Sequence, residues 1–163
     1  NGAKVAKGKY FLFLDADSYL PKDFLEINMK EFKKSKKGTG TVEVKPLSDK
    51  IFDKVFFKLY DYYSRIIQYY SPNCAGCGIF AKRTVFNKIG GFNEKVVFAE
   101  NHEFTDRAKK YGFIILPKDM YTSVRRMDRE GRFKFIIKYI YAGVYRLFYK
   151  EIENEIFEYD NKR

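Results

Sequence analysis

Tryptophan is absent from this 163-residue chain, histidine occurs once, and only two cysteines and four prolines are present. Two cysteines cannot build the framework of a disulfide-stapled domain, and Cys74 and Cys77 with one histidine fall short of the four ligands of a closed zinc site. Their lone C-x-x-C reads as small residues in a tight turn, with redox chemistry as the alternative, and this scarcity of cysteine points to a reducing, cytoplasmic setting. No stretch reaches the roughly 18 uncharged apolar residues that a membrane-spanning helix needs. No secretory leader is recognisable; the chain opens on Asn1-Gly2 and reads as a piece of something longer. Acidic residues are in the minority, with 21 Asp+Glu against 32 Lys+Arg and a net charge of +11. That excess favours an anionic partner such as a nucleotide, a phospholipid or a nucleic acid. A nucleic acid is set aside, because no Gly-Phe-Gly-Phe-type stacking motif and no finger spacing accompanies the charge.

What the chain has in quantity is apolar and aromatic surface: 45% of residues are hydrophobic, and 17 Phe and 14 Tyr are among them. That suffices for the core of one ordinary domain. Tyr10 to Leu14 is a continuous apolar run that reads as a strand buried on both faces, ending in Asp15-Ala16-Asp17. Pro21 suits the first turn of a helix that Gly38 can cap, and Thr41 to Val44 alternates as a half-exposed strand does. Ile51 to Tyr70 is helical in pattern. Its charged residues Asp53, Lys54, Lys58, Asp61 and Arg65 share an arc of about 140° at 100° per residue, and the remainder is apolar. A glycine-rich turn from Cys74 to Gly78 precedes a short strand, and a short helix from Thr84 to Ile89 stops at Gly90-Gly91. A helix from Glu100 to Tyr111 ends at Gly112. Phe113 to Leu116 is expected as a strand halted by Pro117, followed by an arginine-rich loop to Gly131 and an amphipathic helix from Phe133 to Tyr149. The acidic tail starts at Glu151.

The Asp15-x-Asp17 pair carries the sharpest chemical signal. Two carboxylates on a turn after a buried strand can hold one hard cation, Mg²⁺ or Mn²⁺, together with phosphate oxygens. An EF-hand loop is set aside because half its pattern fails: Glu26 fills position twelve, but Leu20 stands where position six needs glycine. A haloacid-dehalogenase-type phosphatase would need a downstream acidic pair that is missing. The metal site of a glycosyltransferase and a plain solvated turn both remain.

Further segments narrow that choice. Ala6-Lys7-Gly8-Lys9-Tyr10 through Leu14, Asp15-Ala16-Asp17 and Leu20-Pro21 resembles the segment of family-2 glycosyltransferases that carries their metal-binding aspartates. Gly76 to Arg83 is similar to the turn and strand those enzymes place before a helix. Ile89-Gly90-Gly91-Phe92-Asn93-Glu94 resembles their "hGGFDE" turn. Glu100-Asn101-His102-Glu103-Phe104 to Arg107, with Gly112, follows their "ED-x-[DE]-h-x-x-R-x-x-x-x-G" spacing. Thr122 to Arg126 is similar to a segment of a bacterial and archaeal branch. The blocks occur in family order over residues 1 to about 112.

The resemblance implies an α/β fold of the GT-A type, a Rossmann-like mixed sheet flanked by helices, with the N-terminal nucleotide-binding half missing. Residues 1–131 would be the C-terminal part of a catalytic domain, and 132–163 an amphipathic helix and tail. It implies a hexosyltransferase that moves a sugar from a nucleoside-diphosphate sugar to an acceptor hydroxyl with inversion, in glycan, glycolipid or polysaccharide synthesis. Asp15 and Asp17 would hold the metal, and Arg125 and Arg126 would grip the diphosphate. Gly76, Gly78, Gly90 and Gly91 would let backbone approach the sugar and acceptor, with Asn101 and His102 beside them. Asn101 stands where the family usually has an aspartate that is often the catalytic base, and an amide cannot accept that proton. Glu100 or Glu103, on one helix face, would take the role; failing that, the chain is a catalytically impaired binding module. The helix from Phe133 to Tyr149 sets Lys134, Lys138, Arg146 and Lys150 on one side and a broad aromatic surface on the other. It is expected to lie on the inner face of the cell membrane or to pack on the missing half, and the first case fits a glycan or lipid-linked acceptor.

Overall fold

The computed structural model describes residues 2–72, 74, 77–96 and 99–149, with backbone alone at 142–144 and 146–149. Its elements run α1 (Gly2–Val5), β1 (Tyr10–Phe13), β2 (Ser18–Tyr19), α2 (Phe24–Ser35), β3 (Thr39–Leu47), α3 (Ile51–Ile67), β4 (Ile79–Lys82) and α4 (Arg83–Lys88). There follow α5 (Glu100–Ala108), a 3-10 turn at Lys109–Tyr111, β5 (Phe113–Ser123), α6 (Arg125–Glu130) and α7 (Arg132–Tyr149). The strands form one mixed sheet in the order β1-β4-β3-β5-β2. Only β3 and β5 are parallel, and every other neighbouring pair is antiparallel. The α/β architecture expected from the sequence is therefore present, a mixed sheet flanked by helices.

Alternation along the strands builds a different layer on each face. On β4, Phe80 points into a cluster with Phe24 and Phe32 of α2, Val42, Val44, Leu116 and Met120. Ile79 and Ala81 point the other way, toward Phe104 of α5 and the rings of Phe13, Phe86 and Phe92. On β3, Val42 and Val44 join the α2 layer, so Glu43 and Lys45 face the opposite side, where α3 lies. There Lys45 Nζ donates to Asp61 Oδ2 at 2.8 Å and Glu43 Oε2 at 3.1 Å, and Arg65 pairs with Glu43. Burial works against the Lys45 ammonium, but the Asp61 and Glu43 carboxylates outweigh it and its pKa stands above the ordinary lysine value.

Four local expectations are corrected. β1 is an edge strand of the described sheet, and only Phe11 of it is fully buried. Helix α2 starts at Phe24, after Pro21 has closed a turn whose carbonyl accepts from Phe24 N–H. Its left-handed C-terminal residue is Lys36 at φ 59°, not Gly38; a Cβ on Gly38 would stand 2.7 Å from Tyr111 Cβ, so that glycine serves close packing. Strand β5 runs through Pro117 to Ser123, and part of the expected arginine-rich loop is helix α6. The strand tolerates proline because its register slips between Val42 and Val44, the place for a residue without an N–H. Fully buried Asn28 repairs the gap: its Nδ2 donates to Lys118 O at 2.9 Å, and Lys118 N–H donates to its Oδ1 at 3.0 Å.

The C-terminal helix is tied back at its first residue. Arg132 donates to both oxygens of buried Asp53, at 2.7 and 2.9 Å, and Ser48 donates to the same carboxylate at 2.6 Å. Rings of the two helices meet as Phe52–Phe133 and Phe56–Phe135. Lys150 and the tail from Glu151 lie outside the described residues.

Two stability measurements check this account. Asn28→Ala leaves both Lys118 backbone groups without partners, so urea unfolding should show a loss of about 2 kcal/mol, with an unchanged m-value. The Arg132 guanidinium, with Ser48, holds the Asp53 carboxyl below its ordinary 3.8 although burial opposes it. A depressed folded-state pKa gives stability that is complete above that value and lost as pH falls through and below it. The Asp53→Asn variant should therefore lose a smaller share of its stability between pH 5 and about pH 2 than the parent does.

Candidate active site

Asp15 and Asp17 sit on a β-turn between β1 and β2, closed by Ser18 N–H donating to Asp15 O at 3.1 Å. Both side chains are exposed to solvent. Even so, the Asp15 carboxyl is pushed above its ordinary value, first by the water it loses on its protein side, then by the charges of Asp17 and Glu100. The charge of Glu100, from a distant segment, thus reaches the aspartate turn. Cys77 comes near this turn, since the N–H of the next residue, Gly78, donates to Phe13 O at 3.0 Å. The Cys77 thiol is pushed up to about 12 by burial, then by Asp15, Cys74 and Asp17. Neither cysteine is in a disulfide and both are buried, which makes the C-x-x-C packing rather than redox chemistry.

Glu100 opens helix α5, where a carboxylate is favoured by the helix dipole. The residue before it, Ala99, holds φ 59°, a left-handed conformation that costs a non-glycine residue energy and marks the point where the chain is bent to aim the helix. Asn101 Nδ2 donates to Glu100 Oε1 at 3.3 Å, so the amide stands beside one of the two carboxylates expected to act in its place. His102 is half-buried one residue on.

Glu103 is placed differently. It is 6% exposed, and its carboxylate faces Arg107, with Nη2 to Oε2 at 2.7 Å and a second contact through Nε. The same guanidinium donates to Gly91 O at 2.7 Å and to Ile89 O. Glu103 therefore belongs to a bracket that ties α5 to the Gly90-Gly91 turn. Gly91 has φ 75° and a Cβ there would come within 3.0 Å of the Phe86 ring, so only glycine fits this turn. Gly90, at φ 78°, faces open space. Gly78 is buried against Met120 and Val42, a position in the core and not on an open cleft. Gly76 lies outside the described residues.

The pairing of Ser18 with Thr122 brings the end of β5 beside the Asp15–Asp17 turn, and α6 leads away from there. Arg125 is exposed and bonded to Ser123 Oγ. Arg126 is held by Glu130 at 2.8 Å and lies over the Phe135 ring, so it faces α7. Of the two arginines, Arg125 is the one left facing solvent. Reading the sequence missed the Glu103–Arg107 bracket; the i,i+4 spacing of an acid and an arginine was its available signal.

The donor set suits a hard cation. Asp15 and Asp17 offer oxygens only, their mutual repulsion calls for positive charge, and the buried Ser18 hydroxyl beside them makes no hydrogen bond within the described protein. Among the described residues no group of three or more His, Cys, Asp or Glu could enclose a metal alone, so a cation here would take further ligands from substrate or water.

The family model described as glycosyl transferase family 2 matches residues 1–90. A crystal structure of S. aureus TarS 1-349 superposes with a TM-score of 0.51 and 18% identity, over 88% of this chain and 42% of that one. A second structure of the same protein, in complex with UDP-GlcNAc, gives 0.50 and 24% identity over 74% and 36%. The chain thus spans less than half the length of these structures, and at such identities the likeness speaks to the fold, which is that of GT-A glycosyltransferases. No curated protein matches.

The bracket separates the two glutamates by measurement. Glu103→Gln removes one partner of a buried ion pair and should lower stability by about 3 kcal/mol. Glu100→Gln, at a half-buried helix start, should leave the unfolding midpoint nearly unchanged.

Proposed function

The chain belongs to glycosyl transferase family 2, and from that premise we propose that it transfers a sugar from a nucleoside-diphosphate sugar to an acceptor hydroxyl, inverting the anomeric carbon. The observation that supports this reading is the exposed Asp15-x-Asp17 turn at the end of β1, which the charge of Glu100 reaches. Glu100 is the base: it accepts the acceptor's hydroxyl proton as that oxygen attacks the anomeric carbon from the face opposite the leaving group. The bond from that carbon to the diphosphate oxygen breaks, and its electron pair leaves with the diphosphate. Asn101 positions Glu100, and Arg125 meets the diphosphate from the end of β5. Asp15 and Asp17 would hold Mg²⁺ or Mn²⁺, which when bound supplies positive charge against the departing diphosphate. Glu103 holds the Gly90-Gly91 turn in place through Arg107.

The UDP-GlcNAc in the S. aureus TarS complex supports a nucleotide-sugar donor here. A glycan or lipid-linked acceptor, met at the inner face of the cell membrane, fits the solvent-facing Phe133, Ile137, Ile140 and Tyr141 of α7. A second reading is a donor-binding module without turnover, favoured by Asn101 at the family's usual aspartate.

The complete protein assayed with UDP-sugars and Mn²⁺ decides between them. Asp17→Asn and Glu100→Gln should each lower kcat by at least about a hundredfold, and Glu100→Gln should leave donor binding intact. Undiminished transfer by Glu100→Gln, or in excess chelator, removes the mechanism. Donor binding with no transfer by the parent leaves the binding module.

A further inference from the structure

Helix α3 packs Phe57 on the core but also carries a second apolar stripe on its outer side. Its fully buried residues are Asp53, Asp61 and Ser64, while Ile51, Val55, Leu59, Tyr62 and Ile66 face solvent at 49% to 79% exposure. At 100° per residue these five fall in an arc of about 80°, and Lys54, Lys58 and Arg65 line one flank of it. Both acids of α3 point inward and its two lysines point outward, while Arg65 reaches back to Glu43. Helix α7 repeats the arrangement: Phe133, Ile137, Ile140 and Tyr141 are exposed, Lys134 and Lys138 follow on one flank, and its sequence contains no acid. The two stripes join where Phe52 packs on Phe133, with ring centroids 5.7 Å apart.

We propose that α3 and α7 form one face that docks on an anionic lipid surface, with α3 as its principal element. The proposal rests on the peripheral attachment read from α7 above and extends it. An exposed apolar stripe with a cationic border is the pattern of a helix lying in the headgroup plane, where Tyr and Phe rings sit at the boundary and lysines meet lipid charge. No described helix is long and apolar enough to cross a membrane, so the face lies on the bilayer. A second copy of this chain suits the face less well, since pairing like faces would set its four lysines, Lys54, Lys58, Lys134 and Lys138, against four more. Beside α3 an open groove of about 640 Å³ is bordered by Lys45, Lys54, Lys58 and Arg65 against Glu43 and Asp61. Tyr121, also on its wall, stacks edge-on to Tyr19, two residues beyond Asp17. The lipid face therefore opens beside the site, and an anionic headgroup in the groove would lie near the transfer chemistry.

Vesicle flotation of the complete protein tests this. Flotation by residues 1–163 alone, with the complete protein staying soluble, assigns the face to the rest of the protein and overturns the proposal. With phosphatidylglycerol-containing vesicles at low salt the parent should float, and with phosphatidylcholine alone, or at high salt, it should not. Leu59→Glu combined with Ile66→Glu, both at solvent-facing positions, should weaken partition at least tenfold with an unchanged circular dichroism spectrum. Ile137→Glu with Ile140→Glu should weaken it less. If only the α7 variant loses binding, the α7 reading stands and this proposal falls; if the parent stays soluble on anionic vesicles, both fall. A dimer in sedimentation that the α3 variant dissolves assigns the face to a second copy. Flotation gained only on deleting residues 151–163 assigns it to that segment. Either result overturns the proposal. Activity enters none of these readouts, so the sugar-transfer mechanism stands or falls separately.

Discussion

The Lys45 ammonium, held by Asp61 and Glu43, decides how half of this molecule is arranged. Strand alternation sends Val42 and Val44 into the dry layer under α2, and the same alternation forces Glu43 and Lys45 onto the opposite face. A helix covering that face must bring groups that satisfy the charges. Helix α3 brings Asp61, and through Arg65 it also holds Glu43. Turning α3 by half a revolution would press Ile51, Val55 and Leu59 onto Glu43 and Lys45, and desolvating those charges without partners costs several kcal/mol for each ion. The outward apolar stripe is thus the consequence of the inward ion cluster.

A second charge device serves the site. Arg107 joins Glu103 of its own helix to the carbonyls of Ile89 and Gly91, so α5 and the glycine turn are tied together. Thr105 Oγ1 adds a bond to Pro72 O at 2.6 Å, fixing the chain that leads to the Cys74 turn. These anchors hold the helix that Glu100 opens, directly after the left-handed Ala99.

Much of this was legible in the sequence, and the limits are physical. The α/β class, the family, the aspartate turn and the start of α5 at Glu100 were readable because they rest on local patterns: an apolar run ending in carboxylates, glycines at fixed offsets and acids in a first helical turn. The length of β5 was not, since Pro117 signals an end and only Asn28, some ninety positions away, makes the strand continuous. Nor was the orientation of α3. Its charged arc was visible, but periodicity cannot say which side of an amphipathic helix faces inward when the covering strand is itself charged. The two glutamates of α5 share a helix face and were inseparable until Arg107 was seen to claim one of them.

Helix α3 and the aspartate turn border one strand. Strand β5 pairs with β3 along most of its length and with β2 at its end, so Lys45 is opposite Tyr121 while Thr122 is opposite Ser18. Neighbouring residues of β5 therefore carry the charged contact under α3 and the edge of the aspartate turn, because the strand continues past Pro117 to reach both.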